Sequence, residues 1–169
     1  MAIPLQSRII TPPPRDHVFL RAAFALAVNA RSHGDFPSGA VLVNAVGEVV
    51  GWGESSQISR SDCCGHAEMN LIRHASRHRT FEQFGTMTLY TTVEPCVMCT
   101  GAICLSGIRR VVYGMTRTRL AELLHSTQSG ELPFTCREML AQASRIIDIN
   151  GPMLEDEAES AVVQNESSL

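Results

Sequence analysis

The chain has 169 residues, of which 14 are basic, 17 are acidic and 44% are hydrophobic, and its formal net charge is −3. This length corresponds to one domain with a substantial apolar core, and the composition excludes a disordered protein. No run approaches the ~18 continuous apolar residues of a membrane-spanning helix. No basic segment followed by an apolar one indicates a secretory signal. We therefore expect a cytoplasmic protein that does not associate with membranes.

The negative charge is concentrated near the end of the chain. Five of the 17 acidic residues lie between Glu155 and Glu166, which leaves 14 arginines and 12 acidic residues before them. The body is thus near neutral, whereas proteins that bind phosphate backbones usually carry a basic surface. The charge distribution makes a nucleic-acid partner unlikely and favours a small-molecule substrate.

Hydrophobic periodicity and turn residues predict helices that alternate with strands. In chain order, the predicted elements are a helix over 15–33, strands over 39–43 and 48–52, a helix over 67–78, a strand over 87–93, a helix over 95–105, a strand over 110–113, helices over 118–125 and 137–144, a strand over 146–149 and a helix over 152–164. Alternating strands and helices imply right-handed crossovers and a mostly parallel sheet, but the first two strands form an antiparallel hairpin. We predict an α/β protein, a three-layer α/β/α sandwich with a mixed five-stranded sheet. The single domain covers 15–164, after a flexible leader over 1–14 and before a tail over 165–169.

Three residues have the chemistry of metal ligands. Cys96 and Cys99 form a C-x-x-C pair at the start of a predicted helix, where the positive end of the helix dipole favours thiolates. With His66 they provide three ligands for a tetrahedral zinc ion, and the fourth position stays open for water, as in catalytic zinc sites. Glu68 follows His66 by two residues and is placed to move protons between water and a substrate.

Two other interpretations of the cysteines compete with this one. A thioredoxin-like redox pair would use Cys96 and Cys99 but would not need the His66-x-Glu68 pattern. A structural zinc site would need a fourth protein ligand, for which Cys63 and Cys64 are candidates.

The combined pattern is more specific than either half. His66-Ala67-Glu68 followed by Pro95-Cys96-Val97-Met98-Cys99 matches the H-x-E … P-C-x-x-C signature of zinc-dependent base deaminases. The chain resembles the cytidine deaminase-like superfamily, in the branch that includes cytosine, guanine and nucleoside deaminases and tRNA adenosine deaminase. The resemblance extends from about 15 to 154 and is carried by the segments 36–43, 65–68 and 88–103. It implies hydrolytic deamination by a homodimer.

The resemblance also implies a role for each residue of the motif. One Zn²⁺ per subunit would be bound by His66, Cys96 and Cys99. Glu68 would take a proton from the zinc water and deliver protons to the ring nitrogen and the leaving amine. Ala67 would offer its backbone N–H to the substrate. Glu94 would direct its backbone carbonyl at the departing ammonia, with its side chain as a structural partner.

The chain departs from the family at the expected substrate contacts. Ser55 stands where the family usually has an Asn that binds the ring or the sugar, and Gln57 is a nearby candidate to compensate for its shorter reach. Ser38 replaces a bulkier residue, which indicates a roomier or more polar pocket. These differences leave the zinc chemistry intact but leave the substrate open.

The acidic segment is a second candidate for substrate contact. The candidates for a polar contact to the substrate are Glu155, Asp156 and Glu157. Of these, we predict that Asp156 makes the contact. The alternative is that these acids only stabilise the first turn of a helix. His125 and Phe134 are further candidates to line the pocket.

The leading hypothesis is a zinc-dependent deaminase of a small amino-substituted heterocycle, a purine or pyrimidine base or nucleoside. A tRNA adenosine deaminase is the first alternative, and it predicts a basic rim and salt-sensitive binding. The second alternative is a zinc-stabilised binding module whose catalytic site has degenerated.

Overall fold

The computed structural model describes residues 15–124 and 132–163, in which a five-stranded sheet lies between two layers of helices. The elements in chain order are α1 (Asp16–Ser32), β1 (Gly39–Val43), β2 (Val49–Glu54), α2 (Ala67–Ala75), α3 (Phe81–Phe84), β3 (Thr88–Val93), α4 (Val97–Ser106), β4 (Arg110–Met115), α5 (Arg117–Leu123), α6 (Cys136–Leu140), β5 (Asp148–Asn150) and α7 (Glu155–Val162). The predicted three-layer sandwich with a mixed five-stranded sheet is confirmed. The predicted leader and tail, and His125, lie outside the described residues.

The strand order in the sheet is β2-β1-β3-β4-β5. β3, β4 and β5 are parallel, but β1 is antiparallel to both β2 and β3. Four of the five strands therefore run in the same direction, as expected for a mostly parallel sheet, and β1 is the antiparallel strand that makes the sheet mixed. The crossover through α2 connects β2 to β3, which run in the same direction, and β1 lies between them in the opposite one.

Each face of the sheet packs on its own helices. On one side, α1, α5 and α7 bury Phe24, Leu120 and Val162 against the sheet. On the other side, helices that include α2, α4 and α6 bury Leu71, Ile103 and Leu140. Successive strand residues point to opposite faces, so Val41 belongs to the first core and Leu42 to the second.

Some element boundaries differ from the predictions for local reasons. α3 was not predicted, although Thr80 and Gln83 form the capping box that starts it. α4 begins at Val97 because Cys96 is its N-cap and has extended backbone. α7 begins at Glu155, after Leu154, whose φ of 59° places it in the left-handed region. α4 and α7 therefore begin where the backbone of the N-cap residue is not helical, although neither N-cap side chain makes a capping hydrogen bond.

A buried ionic network joins the first helix to the sheet. The Asp16 carboxylate, 1% exposed, accepts hydrogen bonds from Tyr90 Oη at 2.6 Å and from Arg110 Nη2 at 2.7 Å. Arg110 Nε also lies 3.4 Å from Asp148 Oδ2 on β5. Burial and the Asp16 carboxylate raise the pKa of Tyr90, so the phenol stays a donor. The network links α1, β3, β4 and β5.

None of the described helices has the length and apolar character that a membrane crossing requires. This agrees with the hydropathy of the sequence.

Replacement of Asp16 with alanine is expected to destabilise the protein by about 3–5 kcal/mol, because it leaves the Arg110 guanidinium and the Tyr90 hydroxyl without their buried partner. Urea denaturation followed by circular dichroism measures the change. Glu157→Ala is the control, because it breaks the ion pair between Glu157 and Arg21, two side chains that are each about half exposed. We expect a much smaller loss of stability from this variant. Equal losses in the two variants would show that the network does not stabilise the fold.

Candidate metal and catalytic site

The site is formed where two helices begin beside the end of β3. His66 is the N-cap of α2 and Cys96 is the N-cap of α4, and both have extended backbone. β2 passes close to the first turn of α2, and a Cβ on Gly53 would collide with the backbone oxygen of Ala67. This close approach explains why a glycine is required there.

His66, Cys96 and Cys99 come together as the motif predicts. Their ligand atoms all lie within 4.8 Å of one another, and Cys96 Sγ is 3.7 Å from His66 Nδ1. Zn–S and Zn–N bonds of ordinary length in a tetrahedron separate sulfur and nitrogen by about 3.6 Å. The donor set of two thiols and one imidazole therefore fits a zinc ion.

Cys63 and Cys64 do not join this group. Within the part of the chain that the structure describes, their sulfurs cluster with the Asp62 carboxylate instead. The structure thus gives no support to a four-ligand structural zinc site completed by either cysteine. Three ligands remain, as in catalytic sites with an open position.

The three ligands already polarise one another. The hydrogen bond from Cys99, with a second from His66, lowers the pKa of the Cys96 thiol to about 3 despite its partial burial. The hydrogen bond to Cys96 raises the pKa of His66. The hydrogen bond between Cys99 and Cys96, together with burial, raises the pKa of the Cys99 thiol. Of the two thiols, Cys96 is therefore the one that loses its proton more readily.

Glu68 lies in the first turn of α2 and is 4% exposed. Thr91 Oγ1 on β3 donates a hydrogen bond of 2.6 Å to its Oε1, and Cys99 Sγ donates to its Oε2 at 3.5 Å. Burial raises the pKa of the Glu68 carboxyl, which favours the protonated form that a proton carrier must adopt during the reaction. Sequence reasoning missed Thr91, because a Thr in a buried strand has no distinctive spacing.

The structure brings two of the predicted substrate contacts together. Ser38 precedes β1 and Ser55 follows β2, and the Ser55 N–H donates to the Ser38 carbonyl at 2.9 Å. Both side chains are buried, and Ser55 Oγ donates to Gln57 Oε1 at 3.4 Å. Ala67, between His66 and Glu68, has no exposed surface. The small residues Ser38 and Ser55 thus lie where the hairpin ends.

Glu94 links β3 to α4 and is buried. Its side chain accepts a hydrogen bond of 3.1 Å from the N–H of Cys136, the first residue of α6. It accepts a second, of 3.5 Å, from the N–H of Arg117, the first residue of α5. The carboxylate therefore stabilises two helix N-termini beside the Cys96 turn.

The other two described candidates, Asp156 and Phe134, are exposed side chains. Asp156 is exposed on α7, which packs in the layer of α1, on the other side of the sheet from α2 and α4. Its neighbour Glu157 pairs with Arg21 at 2.8 Å. Phe134 is exposed.

A clamp that the sequence did not reveal holds the loop before His66. Asn70 Nδ2 donates to the Glu54 carbonyl and to Ser56 Oγ, each at 2.9 Å, and lies 3.3 Å from the Gly65 carbonyl. The amide therefore joins both ends of the loop over 55–65 to α2. An Asn in the middle of a helix is the signal that could have found it, since such a side chain usually bonds to nearby backbone.

Replacement of Asn70 with alanine is expected to destabilise the protein by about 1–3 kcal/mol, because it leaves polar groups of the loop unpaired. Hydrogen exchange of residues 55–65 is expected to accelerate, and a chelator is expected to remove zinc faster. Arg77→Ala, on the exposed surface just beyond α2, is the matched control. Unchanged exchange in 55–65 would contradict the clamp.

Comparison with known proteins agrees with this geometry. Residues 13–115 match the family model of the cytidine and deoxycytidylate deaminase zinc-binding region. A probable cytosine deaminase of Schizosaccharomyces pombe is 35% identical over 147 residues, which cover 85% of this chain and 88% of that protein. A tRNA-specific adenosine deaminase of Buchnera aphidicola is 39% identical over 100 residues, 59% of this chain and 66% of that protein.

A solved structure shares the fold. Guanine deaminase from Nitrosomonas europaea superposes with a TM-score of 0.69 over 88% of this chain and 80% of that chain, at 21% identity. The fold, the donor set and the extent of the family match lead to one conclusion. The chain belongs to the cytidine and deoxycytidylate deaminase zinc-binding family and is a zinc-dependent hydrolytic deaminase.

Proposed function

We propose that the protein releases ammonia from a small amino-substituted heterocycle, a purine or pyrimidine base or nucleoside. The observation that carries this proposal is the position of Glu68. Its carboxyl is buried, oriented by Thr91 and in contact with Cys99, so a proton carrier lies directly beside the metal ligands.

In this proposal, His66, Cys96 and Cys99 hold the zinc ion. When bound, zinc lowers the pKa of a coordinated water from 15.7 towards about 7, so that a nucleophile is available at neutral pH. The protein side chains do the rest of the chemistry.

Glu68 accepts a proton from the attacking water and passes it to the ring nitrogen, while oxygen adds to the carbon that carries the amino group. A second transfer through the same carboxyl protonates the amine, the C–N bond breaks, and ammonia leaves as a carbonyl forms. Thr91 keeps the carboxyl in place for both transfers, since its hydroxyl binds Oε1. The Ala67 N–H and the Glu94 carbonyl are the proposed contacts to the ring and to the leaving ammonia.

Substrate selection follows from small residues at the end of the hairpin. Ser38 and Ser55 offer one hydroxyl each and little bulk, which suits a polar ring. Gln57 bonds to Ser55 and has an amide with two donors, so it is placed to supply the contact that a longer side chain at 55 would make. Asp156 remains a candidate only if α7 or a second subunit brings it to the site.

Two observations support a small substrate over tRNA. Three arginines are engaged by acids, in the pairs Arg21–Glu157, Arg110–Asp16 and Arg119–Glu159, which lowers the positive charge that is left to form a basic rim. The similarity to the probable cytosine deaminase also covers more of this chain than the similarity to the tRNA-specific enzyme.

A homodimer is the proposed assembly, and α4 is its proposed contact. Leu105 on this helix is 84% exposed, and a side chain on Gly101, one turn before it, would meet no other atom. Packing of α4 against the same helix of a second subunit would remove Leu105 from water and cover the open surface beside Gly101. All six cysteines are free thiols, which suits the reducing cytoplasm.

Glu68→Gln is expected to lower kcat by about 10²–10⁴, because an amide of the same shape cannot carry the proton. Zinc content is expected to be unchanged. Ammonia release and metal analysis are the measurements. Glu48→Gln, on the exposed turn of the hairpin, is the matched control, and full turnover by Glu68→Gln would eliminate the proposed role.

Free bases and nucleosides are expected to yield ammonia, whereas tRNA is expected to show neither binding nor inosine formation. A gel shift at low and moderate salt, followed by nucleoside analysis of the tRNA, makes the comparison. Inosine formed in tRNA, with no ammonia from any small substrate, would replace this proposal with the tRNA adenosine deaminase alternative.

Leu105→Glu is expected to convert a dimer into a monomer, close to the chain mass of 18.4 kDa, in sedimentation equilibrium. The charge would be buried without a partner in the proposed interface. Ile146→Glu is the control, because Ile146 is 89% exposed and lies just before β5. A monomeric wild type, or a dimeric Leu105→Glu, would refute the interface.

A further inference from the structure

Three consecutive residues just before His66 form a second cluster of metal-ligating groups. The ligand atoms of Asp62, Cys63 and Cys64 all lie within 4.8 Å of one another. Neighbouring side chains usually diverge, but here the Cys64 N–H donates to Asp62 Oδ1 at 2.9 Å and the Gly65 N–H donates to the Asp62 carbonyl at 2.9 Å. This turn folds the three side chains toward a common point.

The distance between the two sulfurs identifies the ligand that fits. Cys63 Sγ and Cys64 Sγ are 3.9 Å apart. Two thiolates on one tetrahedral zinc ion, with Zn–S bonds of about 2.3 Å, lie about 3.8 Å apart. The pair is therefore spaced to share a metal ion without a change of the backbone.

We propose that Asp62, Cys63 and Cys64 form a second binding site for a thiophilic divalent cation of the zinc type, separate from the His66, Cys96 and Cys99 group. The two groups share no ligand. Each thiol releases its proton to solvent when the metal binds, and the carboxylate supplies the third donor. Cys63 is exposed, so the fourth position faces solvent and the ion exchanges readily.

The surroundings balance the charge of the site. Two thiolates, one carboxylate and a divalent cation carry one net negative charge. The Arg73 guanidinium on α2 lies 3.7 Å from Asp62 Oδ2 and offsets it. Asp62 Oδ1 accepts the hydrogen bond from the Cys64 N–H that holds the turn, whereas Oδ2 is the oxygen that faces the Arg73 guanidinium.

A metal ion bound by Asp62, Cys63 and Cys64 would also act on His66, a ligand of the first group. The His66 N–H donates to the Cys64 carbonyl at 2.8 Å. A metal ion held by Asp62, Cys63 and Cys64 cross-links the turn that ends at His66, and so restricts the loop over 55–65.

Equilibrium dialysis of the reduced full chain against Zn²⁺, with metal analysis of the retained protein, tests the proposal. We expect two zinc ions per chain in the wild type and one in the double variant C63S/C64S. Cys104→Ser is the matched control, because Cys104 is a half-buried thiol on α4 outside both groups, and it is expected to retain two. One zinc ion per chain in the wild type, or two in C63S/C64S, would overturn the proposal.

Alkylation of the wild type gives a test that does not depend on how the variant folds. Iodoacetamide is expected to modify Cys63 and Cys64 when one equivalent of zinc is present and to leave both unmodified with excess zinc, as mapped by mass spectrometry. Cobalt(II) in place of the second zinc ion is expected to add thiolate charge-transfer absorption. Labelling that is unchanged by excess zinc would exclude the site.

Discussion

The arrangement of the site depends on one constraint, the meeting of two helix N-termini beside the end of β3. His66 and Cys96 are the N-caps of α2 and α4, and Cys99 lies one turn into α4. The helix ends direct their positive dipoles at the thiols and so favour the charge that a metal ligand needs. Glu68 enters the same space only because it follows His66 by two residues. A shift of either helix would separate the ligands from the proton carrier.

The sequence predicted this site well because its information is local. The His66-x-Glu68 and Cys96-x-x-Cys99 spacings place pairs of groups on single helix turns, and alternating strands and helices limit how those turns meet. The contacts that hold the turns were not predictable in this way. Asn70 bonds to both ends of the loop over 55–65, and Asp16 reaches Arg110, 94 residues later. Hydrophobic periodicity does not encode which polar surfaces meet.

Acidic side chains near the end of the chain form ion pairs with arginines of earlier helices. Glu157 and Glu159 on α7 pair with Arg21 and Arg119, so these acids attach the last helix to α1 and α5. Two of the acids near the end of the chain are thus balanced within the layer opposite to α2 and α4. Ser38 and Ser55 are buried where the hairpin ends and are joined by the hydrogen bond from the Ser55 N–H to the Ser38 carbonyl. In the proposed function, these small side chains select the substrate.

A crystal structure of the zinc-loaded protein, with anomalous diffraction at the zinc edge, tests the central claim most directly. The account predicts a zinc peak bonded to His66, Cys96 and Cys99, with a water as fourth ligand within hydrogen-bond distance of Glu68. Zinc–sulfur and zinc–nitrogen distances of about 2.3 and 2.0 Å are expected. A zinc ion with four protein ligands at this position, or no zinc bound by these three residues, would contradict it.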